Sequence, residues 1–284
     1  MQKSHVIVGT GPLGMSVMEA LAAKGARVRM INRSGRAAVP AGVEVVAADI
    51  RNAGALQQAL TGAAVVYGCA QPAYHRWVEE FPSLQRAVLV AAEAQGARVV
   101  LGDNLYMYSD SATPLTEKSD TNPQSRKGRL RAAMAEEALA FHKAGRAPVT
   151  LARGSDFFGP RVVEAAMGDR AVGNAVRGKT AQIMGLPDVP HAFTFIGDFG
   201  AAMATLGADE RAFGRAWHVP ICCTLTQRQF LHQLSDALGH AVNISALGRW
   251  TLSLVGLFSP AARETVEMLP HFTSPYLVDD TDFR

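Results

Sequence analysis

The sequence predicts an α/β protein in which a parallel sheet flanked by helices is joined to a small mixed, mainly helical C-terminal lobe. Three observations predict it. Short apolar segments and helical stretches alternate through the first half. The apolar segments are continuous in Val and Ile, as a sheet covered on both faces requires. A glycine-rich turn joins the first segment to the first helix. At 284 residues, 48% hydrophobic and 19% charged, the chain can bury a sizeable core without disulfide or metal staples.

The elements follow in order. Strands are expected at 5–8, 28–31, 43–46, 64–67 and 99–101, with helices at 15–23, 53–60 and 84–94 between them. A longer helix rich in Ala and Glu, 126–143, precedes a strand at 148–152. Beyond Pro160 the regularity fades into a Gly-rich, basic stretch at 170–179. A strand at 191–196 runs into Asp198, placed to cap a helix that continues through Leu206. Another strand, 216–221, leads to Thr226, which caps an amphipathic helix ending at Gly239. Residues 245–270 read as mainly helical, with a break at Ser259-Pro260. The division expected is a nucleotide-binding domain over 1–160, to which 191–208 returns, and a small substrate-binding lobe from 161–190 and 209–284.

Composition narrows the partners. Lys plus Arg number 28 against 25 Asp plus Glu, a surplus that gives a nucleic-acid partner no support. Cys69, Cys222 and Cys223 form neither a disulfide framework nor a zinc spacing, and read as buried thiols in a reducing compartment. The best apolar run, 250–258, is broken by Ser and Gly and falls short of the roughly 20 residues a bilayer requires. After Lys3, the run Val6-Ile7-Val8 is cut by the glycine turn before it can serve as a signal peptide. The reading is a cytoplasmic protein with no membrane partner. No His, Asp or Glu spacing makes a metal site. Neither a Gly-x-Ser-x-Gly elbow nor a P-loop lysine is present.

The strongest chemical signal is the run Gly9-Thr10-Gly11-Pro12-Leu13-Gly14 after the first strand. Gly9 permits the tight turn, Gly11 lets backbone approach a pyrophosphate, and Gly14 lets the helix pack on the sheet. Phosphate rests on free N–H groups at the helix start. This is a Rossmann-type dinucleotide fingerprint. An NAD site normally carries Asp or Glu at the end of the second strand. Here stand Asn32, Arg33, Ser34 and Arg36, with no carboxylate to repel a 2′-phosphate and two guanidinium groups to pair with it. NADP(H) is therefore expected in preference to NAD(H), although the arginines also suit a solvated loop. Asp49 is a candidate acceptor for the adenine amine and equally a cap for the next helix. Ile50, Ala70 and Gln71 complete the expected cofactor set.

Further along stand Leu105-Tyr-Met-Tyr108, Pro114-Leu-Thr-Glu117, Ala152-Arg-Gly-Ser-Asp-Phe-Phe-Gly-Pro160, Phe195-Ile-Gly-Asp198 and Trp217-His-Val-Pro220. With the fingerprint and Asp49, these make nearly the whole chain resemble the extended short-chain dehydrogenase/reductase superfamily, in its NAD(P)-dependent epimerase/dehydratase-like group. The resemblance implies substrate held between a Rossmann domain and a C-terminal lobe, and catalysis by Ser or Thr, Tyr and Lys. Asn104 stands at the serine position, while Lys127 and Arg131 stand at the Tyr-x-x-x-Lys positions. No tyrosine lies from 109 to 273.

Lys127 and Arg131 are four apart and share a helix face. Arg131 can hydrogen-bond the nicotinamide ribose but stays charged. Lys127 serves as acid or base only if burial or Arg131 makes it give up its proton. Asn104 can orient a carbonyl. The basic run 126–131 opposes the helix dipole, which leaves anion binding and a solvated helix start both open. Tyr106 is read as a substrate contact or proton donor, with packing the alternative. Tyr74 and Trp77 wall the pocket or stabilise the loop before residue 84. Asp156 is placed near the nicotinamide, to orient an amide or substrate hydroxyl or to cap a turn. Phe157 beside it and His191 are candidate substrate contacts, His191 being equally a locally satisfied strand residue. His218 reads as core.

Three functions stay open. The first is an NADP(H)-dependent oxidoreductase of a small or medium-sized organic molecule, with the atypical set Asn104, Lys127 and Arg131. The second is a non-catalytic NADP-binding sensor or regulator. The third is an isomerase or dehydratase that retains its cofactor. A homodimer is compatible with the apolar and small residues of 84–94 and 132–141, which would bury equally well against the chain's own core.

Overall fold

Strands apolar at every position need cover on both faces, and a computed structural model of the chain, describing residues 4–108, 113–248 and 266–284, supplies it. The strands are β1 (Ser4–Val8), β2 (Val28–Asn32), β3 (Glu44–Ala47), β4 (Ala63–Gly68), β5 (Arg98–Asp103) and β6 (Val149–Arg153). There follow β7 (Asp156–Phe158), β8 (Ala181–Met184), β9 (Pro190–Phe195), β10 (Ala216–His218), β11 (Cys223–Thr226) and β12 (Ile244–Leu247). Between them run α1 (Pro12–Ala23), α2 (Ala53–Ala59), α3 (Trp77–Glu93), α4 (Arg126–Lys143), α5 (Asn174–Val176), α6 (Ile196–Ala208) and α7 (Gln227–Leu238).

Seven strands make one parallel sheet in the order β10-β6-β5-β4-β1-β2-β3. Successive side chains pack on opposite faces. Val6, Val8, Val66, Val99 and Leu101 bury against Leu56, Leu89 and Phe141 of α2, α3 and α4. Ile7, Val65, Tyr67 and Val100 bury against Val17, Leu21, Phe199 and Met203 of α1 and α6. The strand order reverses between β1 and β4, which opens a crevice at their carboxyl ends.

The second lobe is mixed. A three-stranded sheet β11-β9-β7 and a two-stranded sheet β12-β8 enclose Met167, Ile183, Phe193 and Leu231, the last from α7. The expected return over 191–208 divides: residues 191–195 lie in β9 of the small sheet, while α6 packs on α1. From α6 the chain continues in the main domain through β10, because β6 pairs in register with residues 216–218. The helical reading of 245–270 meets strand β12 at its start, and its middle, with the apolar run and Ser259-Pro260, lies outside the described residues. No described helix is long and apolar enough to cross a membrane.

Other boundaries differ for identifiable reasons. Helix α3 starts seven residues before the expected 84, with Pro82 inside it. That proline lacks the N–H that would reach Val78, and Val78 is exposed, so its carbonyl can turn to water. Trp77 is therefore a buried helix residue rather than part of a loop. Asn52, not Asp49, caps α2 by accepting from the Ala55 N–H. Asp198 sits in the first turn of α6, whose N-cap is Phe195. Thr226 caps α7 in a full capping box with Gln229, and Gly239 ends it at φ 72°.

Helices α1 and α6 cross closely enough that a Cβ on Gly200 would collide with the backbone and Oγ of Ser16. The Ser16 Oγ donates to the Ile196 carbonyl at 2.7 Å across the same crossing. Helix propensity alone would make Gly200→Ala stabilising by about 1 kcal/mol. Overpacking here should reverse the sign and cost about 1–3 kcal/mol, read as a lower urea midpoint with unchanged slope.

Candidate active site

The glycine turn is held by backbone contacts. Gly9 has φ 111°, and a Cβ there would lie 2.7 Å from the Ala70 nitrogen. A Cβ on Gly14 would strike the Gly9 carbonyl, so helix and turn approach only through glycine. Around Gly11 there is open space, and no side chain caps α1, which starts with Pro12. An uncapped helix start facing open space is a fitting seat for a dinucleotide's pyrophosphate. Beside it, Leu13 packs against Gly102, and a cleft is lined by Val8, Ile50, Gly68, Ala70, Phe81 and Leu101. Gln71 is exposed, three residues beyond the end of β4.

At the end of β2 the Asn32 amide ties the turn together. It donates to Thr10 Oγ1 at 2.9 Å and to the Arg36 carbonyl at 2.8 Å, and accepts from Ser34 Oγ and the Gly35 N–H. Arg33 and Arg36 are exposed, and their guanidinium groups make no ion pair among the described residues. Asp49 is engaged by Arg51, whose Nη2 lies 2.6 Å from Oδ2. Hydrogen bonds from the Arg51 side chain, and then from its backbone, pull the Asp49 pKa down to about 2, with the Arg33 charge adding to the effect.

The start of α4 departs from the expectation. Lys127 is 0% exposed; its Nζ lies 2.9 Å from Glu267 Oε1 and 4.3 Å from the centre of the Tyr74 ring. Glu267 Oε2 also accepts the Arg126 N–H at 3.1 Å. The anion answering the basic helix start is thus a residue of the chain itself. Arg131 is 3% exposed, and its guanidinium is held within the protein. Its Nε donates to Asp103 Oδ1 at 2.9 Å, and its Nη2 donates to the same oxygen and to the Gly102 carbonyl. The reason is electrostatic: Asp103 is buried, and Arg131 with Arg153, at 3.0 Å from Oδ2, compensates it. Burial alone would raise the Asp103 pKa, but the two guanidinium groups outweigh it and hold the carboxyl below the aspartate range. The Asn104 side-chain oxygen accepts the Tyr106 N–H at 3.2 Å in an Asx turn, a bond that does not use the amide NH2 that would donate to a carbonyl.

Tyr106, Tyr74 and Trp77 come together in one aromatic cluster with Phe81. Trp77 meets Tyr74 edge-on at 5.0 Å and Tyr106 at 6.4 Å. Burial, and then the charge of Asp156, pushes the Tyr106 pKa up; burial does the same for Tyr74. On its other side Tyr106 stacks on His271 at 5.8 Å and borders a cavity of about 250 Å3 shared with Arg126, Arg129, Glu267 and His271. Glu267 and His271 were not among the expected site residues. They lie 140 and more residues from their partners, a separation that no local spacing reveals.

Asp156 and His191 also meet: His191 Nε2 lies 2.7 Å from Asp156 Oδ2. Phe157 instead turns into the main core and packs edge-on against Phe199. Behind the site a buried polar chain continues. Arg153 Nη1 donates to the Tyr108 hydroxyl at 2.6 Å, and Tyr108 and His218 Nε2 are 3.0 Å apart. His218 Nδ1 faces the Asp279 carbonyl at 2.9 Å. A carbonyl only accepts, so Nδ1 carries the proton and Nε2 accepts from Tyr108.

With this geometry in place, the family described as "NAD dependent epimerase/dehydratase family" matches residues 6–219. No curated protein matches the chain. Among solved structures, a double mutant of DesIV, the dTDP-glucose 4,6-dehydratase of Streptomyces venezuelae with NAD bound, is similar at TM-score 0.77 and 20% identity, over 98% of this chain and 89% of that one. UDP-N-acetylglucosamine 4-epimerase of Methanobrevibacter ruminantium M1 is similar at TM-score 0.79 and 17% identity, over 99% and 90%. UDP-glucuronic acid 4-epimerase of Bacillus cereus, in complex with NAD, gives 0.76 and 17%, over 86% and 87%. At these identities the likeness is one of fold.

Two outcomes test the buried polar chain. Asp103→Asn leaves Arg131 and Arg153 without their counter-charge and should cost about 3–5 kcal/mol in denaturant unfolding. Burial lowers the His218 pKa, so the folded chain keeps His218 neutral where the unfolded chain protonates it. Its contribution is therefore full above about pH 6.5 and is lost as pH falls below that value. Unfolding midpoints between pH 8 and pH 5 should fall more steeply for the natural chain than for His218→Gln.

Proposed function

The chain belongs to the NAD dependent epimerase/dehydratase family, and we propose that it is an isomerase or dehydratase of that kind, working on a small or medium-sized organic molecule with a retained nicotinamide dinucleotide. The observation that carries the reading is the uncapped start of α1 over Gly11, beside a turn that tolerates only glycine at positions 9 and 14. When bound, the dinucleotide supplies hydride removal and return. Gly9 to Gly14 hold its pyrophosphate, and the exposed Arg33 and Arg36 bind a 2′-phosphate, which makes NADP(H) the preferred form. Ile50 and Ala70 line the cleft beside the turn. Substrate enters between the main sheet and the second lobe, against Tyr74, Trp77 and Tyr106.

The solved neighbours are named for nucleotide-linked sugars, which makes those the first compounds to test. Product formed without net change in NADPH absorbance supports the proposal. Net consumption favours a plain oxidoreductase instead. A second reading, a non-catalytic NADP-binding sensor, is favoured by one observation: Arg131 is spent on Asp103. Tight dinucleotide binding without turnover would decide for it. A homodimer through α3 and α4, where Val78 and Val90 are exposed, fits either reading and is checked by mass in solution.

Replacing Arg33 and Arg36 together with Ala removes charge-assisted bonds worth about 1.5–3 kcal/mol. NADP(H) affinity should fall by about 10–150-fold while NAD(H) affinity changes little, measured by calorimetry.

A further inference from the structure

We propose that Asp156, positioned by His191, is the carboxylate that takes a proton from the substrate, and that Tyr106 is the hydroxyl that gives one back. This rests on the reading that the chain turns over a substrate. Four features of the molecule lead to it. The residues at the usual tyrosine and lysine positions are committed elsewhere, Lys127 to Glu267 and Arg131 to Asp103. Proton transfer therefore falls to other groups at the carboxyl edge of the sheet.

Asp156 stands there, at the start of β7 just beyond β6, with β9 beside it in register. One of its oxygens, Oδ2, is held by His191 Nε2 at 2.7 Å. The other, Oδ1, accepts nothing among the described residues, and the side chain is 17% exposed. A carboxylate with one oxygen fixed and the other open is aimed. His191 itself is 2% exposed and locked between rings, stacked on Phe272 at 4.8 Å and 8° and on Tyr276 at 5.0 Å and 22°. So rigid a histidine fixes the direction of the carboxylate it holds.

Tyr106 is the complementary group. The Asp156 charge acts on both Tyr106 and Tyr74, and together with burial it keeps both hydroxyls protonated. Of the two, it is Tyr106 that borders the cavity shared with Glu267 and His271. A hydroxyl that keeps its proton can give one, and a carboxylate oxygen left open can take one.

The step balances. A substrate O–H or C–H bond breaks, its proton passes to Asp156 Oδ1, and its electron pair stays with the substrate. At the other end the Tyr106 O–H breaks, its proton goes to the substrate atom that receives it, and the electron pair stays on the phenol oxygen beside Tyr74. Proton exchange with water returns both residues to their starting forms.

The test uses the whole chain with its retained dinucleotide, in deuterated water, with a panel of nucleotide-linked sugars and hydroxycarbonyl compounds. Mass spectrometry reads product and deuterium uptake, and histidine side-chain 15N spectra read the His191 ring without turnover. Asp156→Asn should hold the dinucleotide and leave KM within a few fold, while kcat falls by about 10²–10⁴-fold and deuterium uptake disappears. The His191 15N shifts should move in that variant. His191→Gln, whose amide can still donate to Oδ2, should lose less, and Tyr106→Phe should lose kcat with its ring packing kept. If Asp156→Asn does not fold, Asp156→Glu replaces it, with a fall in kcat again expected. Unchanged kcat in the Asp156 variant, or His191 shifts indifferent to it, overturns this role and leaves the proposed function standing. A natural chain that holds its dinucleotide and turns over nothing overturns both.

Discussion

Asp103 is the constraint around which the crevice is built. A carboxylate removed from water at the end of a central strand must be compensated, and its two guanidinium partners come from α4 and from β6. That single requirement ties the long helix to two adjacent strands. It also removes Arg131 from the pool of groups free to meet a ligand, and it orients Arg153 so that its remaining donor reaches Tyr108. From Tyr108 the order passes through His218 to the backbone at Asp279. Position 131 therefore ties the scaffold together.

The basic start of α4 has a similar logic. Cationic residues in a first helical turn oppose the helix dipole, and an anion must answer them. Glu267 does so from the far end of the chain, taking the Arg126 N–H on one oxygen and the Lys127 ammonium on the other. The ammonium then lies over the Tyr74 ring, so an aromatic face shares the charge. What the helix start binds is the protein's own carboxylate.

Much of the fold was legible because its causes are local. Runs of Val and Ile marked the strands, Thr226 with Gln229 and Gly239 marked both ends of α7, and Gly9 and Gly14 marked a turn whose geometry excludes side chains. Pro82 misled because its lost hydrogen bond falls on an exposed turn where water can replace it. The short strands of the second lobe left no periodic trace, being three or four residues long. The exposure of Arg33 and Arg36 suited the solvated loop that the sequence allowed, whereas the bonds by which Asn32 ties that turn were not read from it. The meetings of Lys127 with Glu267 and of Asp156 with His191 did not, because they depend on how distant segments are brought together.

The segment from Leu277 to Asp279 pairs with Leu115 on both sides, and the Asp279 carbonyl receives the proton of His218. During synthesis the seventh strand of the sheet thus emerges some sixty residues before its histidine can find that acceptor. Until then water takes the place of that carbonyl at Nδ1. The last strand of the main sheet is thus completed by backbone that follows it by some sixty residues.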